Sequence, residues 1–189
     1  DINKQISNKN SNYYQFRNEM KSKFISVNFE KNEIKKMSLY NMAETIYHVS
    51  EDSLLVGTNH ASGDTIIISF ENSELMQIQV IGGGKGVFSP EFENTKIDTN
   101  ITYKANYLNY YVDKEQTELI QNSVVEYQDI KLNAGNILVS WRENILNAMK
   151  YNDVLPTIYS GDAEPLTGNN MTFDLVTKHG KINKGITEY

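Results

Sequence analysis

Apolar residues alternate with polar ones along most of the chain, and the alternating stretches recur. Residues 25–44 and 66–85 match at a constant shift of 41 positions, without a gap. The first apolar pairs in this alignment are Ile25 with Ile66, Val27 with Ile68, and Phe29 with Phe70. A period of two places alternate side chains on one face of a β-strand. The repeated segment therefore predicts a strand that is apolar on one face.

The opening part of this unit occurs three more times. The apolar triplets of these copies are Leu108, Tyr110 and Val112; Ile137, Val139 and Trp141; and Met171, Phe173 and Leu175. A small residue stands three positions before the triplet in four of the five copies, namely Gly63, Ala105, Ala134 and Gly168. The recurrence predicts a chain built from one repeated supersecondary unit.

A short polar stretch follows most triplets, and such stretches between apolar runs predict hairpin turns. These stretches are Lys31-Asn32, Asn72-Ser73, Lys114-Glu115, Glu143-Asn144 and Lys178-His179-Gly180. A second alternating run then returns, most clearly with Met37 and Leu39 and with Ile78 and Val80. The pattern predicts an all-β protein, with residues 1–189 forming a single elongated domain of about five strand-turn-strand rungs stacked as antiparallel hairpins.

Composition and charge exclude several classes of protein. The 189 residues carry a net charge of −6, whereas a nucleic-acid partner calls for a basic face. There is no cysteine, so thiolate metal sites and disulfides are excluded. No apolar run approaches the roughly 20 residues that a membrane-spanning helix needs.

The stretch Gly82-Gly83-Gly84-Lys85-Gly86 resembles a phosphate-binding loop, but its context argues against a nucleotide site. A P-loop requires Ser or Thr directly after the lysine, and here Gly86 and Val87 follow. In the repeat, Gly82–Gly84 align with residues 41–43. We therefore expect the glycines at the end of a return strand, where the chain bends into the next rung.

No catalytic or metal site is expected from the remaining polar residues. His48, His60 and His179 lie far apart, without the spacing of a zinc site. The carboxylates that cluster at predicted turns recur with the rungs and are typical of solvated hairpin tips. They are Glu30, Glu33, Glu71, Glu74, Asp113 and Glu115.

Three stretches resemble the OstA-like, or LptA-like, family of periplasmic β-jellyroll domains of lipopolysaccharide transport. They are residues 41–47 (NMAETIY), 57–64 (GTNHASGD) and 168–182 (GNNMTFDLVTKHGKI). The likeness extends over roughly residues 15–189, and its strength lies in the ordered recurrence of the unit. The resemblance implies a twisted, V-shaped, open stack of antiparallel strands that acts without catalysis and without a cofactor.

The resemblance also implies a ligand and partners. The apolar inner face would bind lipopolysaccharide or a similar acylated lipid as an apolar trough. The residues expected to line this trough are Ile25, Val27, Phe29, Ile66, Ile68, Phe70, Ile78, Val80, Leu108, Tyr110, Val112, Ile137, Val139, Trp141, Met171 and Phe173. Other Lpt jellyrolls, or a second copy of the chain, would join head to tail through the edge segments 21–29 and 171–184.

The expected location is the periplasm, either as a free bridge subunit or as the soluble part of an outer-membrane protein. The chain stops a few residues into a return strand that begins near Lys181, so we expect the natural protein to continue. The alternative is a β-solenoid surface, adhesion or structural interaction domain, in which the same apolar faces form a closed core.

Overall fold

The structure, a computed structural model, describes residues 4–9, 12–51 and 54–184, and the side chains of residues 17–50 and 54–184. This part of the chain forms fifteen β-strands joined by turns and loops. The strands are β1 (Lys4–Lys9), β2 (Asn12–Arg17), β3 (Glu19–Lys21), β4 (Phe24–Glu30), β5 (Glu33–Glu51), β6 (Leu54–Glu71), β7 (Glu74–Pro90), β8 (Ile101–Tyr111), β9 (Gln116–Tyr127), β10 (Ile130–Ser140), β11 (Ile145–Met149), β12 (Thr157–Ser160), β13 (Leu166–Thr167), β14 (Asn170–Asp174) and β15 (Gly180–Asn183). The all-β prediction is confirmed.

Thirteen of these strands form one open antiparallel sheet in the order β15-β14-β11-β10-β9-β8-β7-β6-β5-β3. Off this path, β4 also pairs with β5, and β12 pairs with β10 and β13. Within the described ranges, strands β1 and β2 pair only with each other, in a separate two-stranded sheet. From β5 to β10 every strand pairs with its neighbour in sequence, so this part of the sheet is the predicted succession of hairpins.

The predicted hairpin turns occur where the polar stretches stand. Lys31 and Asn32 have φ angles of 48° and 66°, and Asn72 and Ser73 have 49° and 65°. Two successive positive φ angles are typical of the turn whose twist matches that of the paired strands. Positive φ angles also mark the later turns at Glu115, Asn144 and Lys178. The turn prediction is confirmed in all five copies.

The 41-residue repeat extends to the irregularities of the backbone. A register shift lies between Asn28 and Phe29 in the first copy and between Ser69 and Phe70 in the second. Further along, Asn41 and Met42 have φ angles of 63° and 62°, and the aligned Gly82 and Gly83 have 81° and 63°. The two copies therefore share a fold and not merely a pattern of apolar residues.

A row of register shifts crosses the long strands near their middles and divides the sheet. The shifts fall at residues 40–43 in β5, 81–84 in β7, 104–107 in β8 and 134–136 in β10. Extra residues in one strand of a pair bend that strand and increase its twist. We call this row the corner, because the strands change direction there.

The corner separates two walls. The first wall contains β4, β11, β14, β15 and residues 33–40, 65–71, 74–81, 107–111, 116–120 and 136–140. The second wall contains β3, β12, β13 and residues 43–51, 54–63, 84–90, 101–105, 123–127 and 130–134. Aromatic rings from the two walls touch, with 5.5 Å between the ring centroids of Tyr47 and Tyr110. The walls therefore face each other across one interior, as the V-shaped jellyroll requires.

The position predicted for the glycines needs a correction. Gly82–Gly84 do not end a strand, because β7 continues from Glu74 to Pro90 on both sides of them. They lie at the corner, where the chain passes from the first wall to the second. The expected bend is present, but the hydrogen-bonded ladder resumes at Gly84 opposite Ala105.

Candidate functional site

The inner face of the first wall carries two rows of mostly apolar side chains. Residues directly opposite each other in an antiparallel pair project from the same face. One row runs through Ile25, Leu39, Ile66, Val80, Leu108, Leu119, Ile137, Ala148, Met171 and Ile182. The other runs through Val27, Met37, Ile68, Ile78, Tyr110, Thr117, Val139, Leu146 and Phe173. The first two residues of each of the five triplets therefore lie on one face of the sheet.

We use the word trough for the space that these rows and the second wall enclose. In the middle of the molecule the trough is packed closed, with Ile66, Ile68, Ile137 and Val139 fully buried. Of the other residues expected to line it, Phe70, Ile78, Val80, Leu108, Tyr110 and Trp141 are also buried here, and Met171 and Phe173 are buried towards the β15 end. Val112 is partly buried against the same core. A ligand can enter this region only if the walls move apart.

The trough is open at its β4 end. Ile25, Val27 and Phe29 belong to the inner face but remain 50%, 38% and 63% exposed. Opposite them in the ladder, Leu39 and Met37 are buried. A wall facing β4 is missing among the described residues, because β3 spans only three residues and pairs with the far half of β5. We call this end the β4 mouth.

The opposite end of the trough contains a cavity of about 220 Å³ between β12 and β13 on one side and β14 and β15 on the other. Its apolar lining consists of Leu132, Ile158, Ala163, Leu166, Met171, Phe173 and Ile182. Glu164 and Lys181 also contribute to the lining, and both are exposed to solvent. Apolar cavities with a few polar groups are the usual form of a ligand site. We call this end the β15 mouth.

Polar and aromatic side chains interrupt the apolar rows near the middle of the trough. The Tyr103 hydroxyl donates a hydrogen bond to Asn59 Oδ1. The Trp141 indole donates to Thr117 Oγ1 at 2.8 Å, and its ring packs against Phe88 with 4.7 Å between centroids. Burial raises the pKa of the Tyr103 and Tyr110 hydroxyls, so both stay protonated in neutral solution.

These polar residues, other than Tyr110 and Trp141, were not anticipated from the sequence. Thr45, Tyr47, Asn59 and Tyr103 lie in the second wall, where apolar and polar residues share the inner face. The period of two was present there, since Ala43, Thr45, Tyr47 and Val49 alternate with other residues. This alternation was not recognised as an inner face, because threonine and asparagine are polar and a polar residue in a strand is expected to face outward.

A loop at residues 91–100 covers the side of the trough opposite the corner. Ile97 inserts into the core and is only 2% exposed. Asp98 accepts hydrogen bonds at 2.7 Å from Tyr127 and Gln128, and its carboxylate forms an ion pair at 3.3 Å with Lys178. Lys178 belongs to the last hairpin turn of the first wall. The loop therefore ties the free ends of the two walls together, and we call it the strap.

The lysine and the histidines that the sequence analysis considered lie at the following places in the structure. Lys85 lies on the outer face opposite Lys104, and both line a surface pocket together with Thr102 and Glu126. His48 contacts Thr58 at 3.1 Å within the sheet. Among the described residues no group of histidines and carboxylates could hold a metal ion. The same part of the chain contains no helix long and apolar enough to cross a membrane.

Comparison with known proteins gives a likeness in structure only. The chain matches no protein-family model and no curated protein by sequence. It is similar in structure to LptH of Pseudomonas aeruginosa, the LptA-homologous periplasmic component of the conserved lipopolysaccharide transport device. The TM-score is 0.56 at 10% sequence identity, over 71% of this chain and 83% of LptH. The predicted architecture is thereby confirmed: the chain has the LptA-like β-jellyroll fold.

Proposed function

We propose that this protein is a non-catalytic periplasmic module that binds lipopolysaccharide, or a similar acylated lipid, and carries it towards the outer membrane. One observation supports this most directly. Apolar rows line the interior of a jellyroll whose structural relative is a periplasmic component of lipopolysaccharide transport, and apolar surface of this interior is accessible at both ends. In this proposal residues 1–189 act as one elongated domain.

Acyl chains would provide the affinity. Removing one CH₂ group from water contributes about 0.8 kcal/mol, so even part of an acyl chain binds usefully in an apolar trough. The two mouths are where binding would start, because exposed or loosely packed apolar surface is already available there. Passage through the middle requires the walls to separate about the corner and to break contacts such as that between Tyr47 and Tyr110.

Site-specific photo-crosslinking to lipopolysaccharide tests the proposal at the two mouths. A crosslinking side chain placed at Val27 or at Met171 faces the trough, whereas the neighbouring Asn28 and Asn170 are exposed positions on the other face of the same strands. We expect labelling at the inner positions, with competition by unlabelled lipopolysaccharide, and little labelling at the outer ones. Equal labelling of both faces, or no labelling at all, would favour the alternative of a closed structural core.

We further propose that the partners are other jellyroll proteins, or a second copy of this chain, added at the sheet edges. Among the described residues, β4 hydrogen-bonds to β5 alone and β15 to β14 alone. An unpaired edge offers its backbone N–H and C=O groups to an incoming strand. Addition of a strand at β4 would also cover Ile25, Val27 and Phe29, and so extend the trough into the partner.

A further inference from the structure

A belt of polar side chains crosses the trough where its apolar rows would otherwise be continuous. We define the polar belt as Thr45, Tyr47, Asn59, Tyr110 and Thr117, which line one narrow cavity together with Ile78, Val80 and Leu108. The belt joins both walls, because Tyr110 and Thr117 lie in the first wall and the other three lie in the second. The polar belt is therefore in the path of anything that passes along the trough.

The polar belt has hydrogen-bonding capacity that the protein leaves unused. Thr45, Asn59 and Tyr110 are 4%, 7% and 7% exposed. The described residues provide no hydrogen-bond partner for the hydroxyls of Thr45, Tyr47 and Tyr110. Asn59 uses its carbonyl oxygen to accept from Tyr103 and keeps its amide N–H groups free. Among the described residues, the fully buried side-chain atoms without a partner are Asn133 Oδ1 and Asn136 Oδ1, which lie outside the belt, so the belt hydroxyls still reach the cavity. Covering such a group without giving it a partner costs about 1–3 kcal/mol.

The chemistry of the polar belt is neutral. Thr45, Thr117 and Asn59 do not ionise, and desolvation raises the pKa of Tyr110 and of Tyr47. The carboxylate of Glu115, which is ion-paired with Arg142 at 2.7 Å, raises the pKa of both tyrosines further. An anionic group would also lose its hydration on entering a buried site without a cation to pair with. The site thus suits an uncharged group that both donates and accepts hydrogen bonds.

We propose that the polar belt binds hydroxyl, ester or amide groups attached to acyl chains, and so selects substituted acyl chains over plain hydrocarbon chains. This inference rests on the proposed lipid-binding function and specifies the class of lipid. A plain chain at the belt leaves the Thr45, Tyr47 and Tyr110 hydroxyls buried and unpaired. A hydroxylated or amide-linked chain pairs with them while its methylene groups contact Ile78, Val80 and Leu108.

Two uncharged probes of equal chain length test the selection. The methyl esters of myristic acid and of β-hydroxymyristic acid differ only in one hydroxyl group, and their affinities can be compared by displacement of an apolar fluorescent dye. The protein should prefer the hydroxylated ester by about two- to tenfold, the range that one neutral hydrogen bond supplies. In Tyr110→Phe and Thr45→Val the ratio should fall towards one, while the affinity for the plain ester is unchanged or increased.

Tyr107→Phe is a matched control, because Tyr107 lies in the same strand on the outer face and is 44% exposed. Its ester ratio should equal that of the unchanged protein. The melting temperature of Tyr110→Phe should stay the same or rise, since the change removes no hydrogen bond within the protein. A fall in melting temperature would mean that the hydroxyl already has a partner, and it would contradict the proposal.

The remaining outcomes separate this inference from the proposed function. If both esters bind equally well, or if the ratio survives in Tyr110→Phe and Thr45→Val, the polar belt does not select and lipid binding stands. If neither ester binds while lipopolysaccharide crosslinks at Val27 and Met171, the belt proposal fails alone. If lipopolysaccharide also fails to crosslink, both proposals fail.

Discussion

Gly83 and Gly84 are adjacent at the corner, but they are glycines for different physical reasons. Gly83 has a φ of +63°, and a Cβ atom there would meet nothing within 4 Å. The aligned residue in the first copy, Met42, takes a φ of 62° with a full side chain. A Cβ atom on Gly84 would instead lie 2.8 Å from Leu108 Cγ. Glycine at position 83 therefore suits the left-handed backbone conformation, whereas glycine at position 84 is required because a side chain would clash with Leu108.

Substitutions at these two glycines should differ in their effect on stability. Gly84→Val forces Leu108 and Val80 apart in the core, and overpacking of this kind costs about 1–3 kcal/mol. Gly83→Asn should cost well under 1 kcal/mol, because asparagine tolerates the left-handed region and the space is free. Urea unfolding of the two variants measures the difference. Equal destabilisation would show that backbone conformation, and not contact with Leu108, governs the corner.

At the scale of elements, the strap and its anchor Asp98 hold the walls together at their free ends. The hydrogen bonds from Tyr127, Lys178 and Gln128 lower the pKa of the Asp98 carboxyl group. A lowered pKa in the folded state means that the carboxylate contributes to stability above about pH 4, and that this contribution is lost as the pH falls further. The attachment of the strap should therefore weaken in acid.

Hydrogen exchange of the Asn94 amide, which donates to Glu91 within the strap, reports this attachment. Asp98→Asn should accelerate its exchange at neutral pH and should remove the additional loss of protection below about pH 4. Asp162→Asn serves as the control, because Asp162 is an exposed carboxylate in another loop. Protection that is the same in Asp98→Asn and in the unchanged protein would mean that Ile97 and the hydrogen bonds from Glu91 and Asn94 to β6 hold the strap in place without Asp98.

Hairpins and turns were predictable from the sequence because alternation and polar interruptions follow directly from the strand pairing. The corner was not predictable, because the alternation in β7 continues through it without a break. Val80 and Gly84 are four residues apart, an even number, and both face the trough. In β8 the alternation does break, because Ala105 and Leu108 both face the interior although they are three residues apart. This break explains why a small residue stands three positions before the triplet. The small residue was visible in the sequence, but the strand pairing was needed to recognise it as a corner.

The lining of the trough was predictable for the first wall but not for the second. The apolar rows of the first wall are made by residues whose burial in a sheet is expected from their type alone. The second wall contributes Thr45 and Asn59, whose inward direction depends on the register with β6 and β5. The role of the strap could not be predicted from the sequence, because its contact with Lys178 joins residues 80 positions apart.

At the scale of the whole molecule, the edges at β4 and β15, each with a single neighbour among the described strands, should produce assembly. Head-to-tail strand addition does not close into a ring by symmetry, so the oligomers should lengthen with concentration. Sedimentation velocity across a hundredfold range of concentration measures this growth. A chain that stays monomeric throughout, also in the presence of a partner jellyroll, would contradict assembly through the edges.

The 41-residue repeat provides a matched pair of variants for this test. Ser26→Lys with Asn28→Lys puts two cations on the edge strand β4, where charge discourages strand addition. Ile67→Lys with Ser69→Lys makes the same change at the aligned positions of β6, which already has neighbours on both sides. We expect the first pair to shorten the oligomers and the second pair to leave their length unchanged.

The two mouths of the trough are unequal, and this inequality has a consequence for net flux. The β4 mouth is a row of apolar side chains exposed to solvent, whereas the β15 mouth is a cavity of about 220 Å³. A lipid would therefore dwell for different times at the two ends. By detailed balance, such differences set the speed of exchange but cannot drive a current in one direction, since a passive site only redistributes populations. If this chain carries lipid one way, the free energy for that direction must come from a source or a sink outside it.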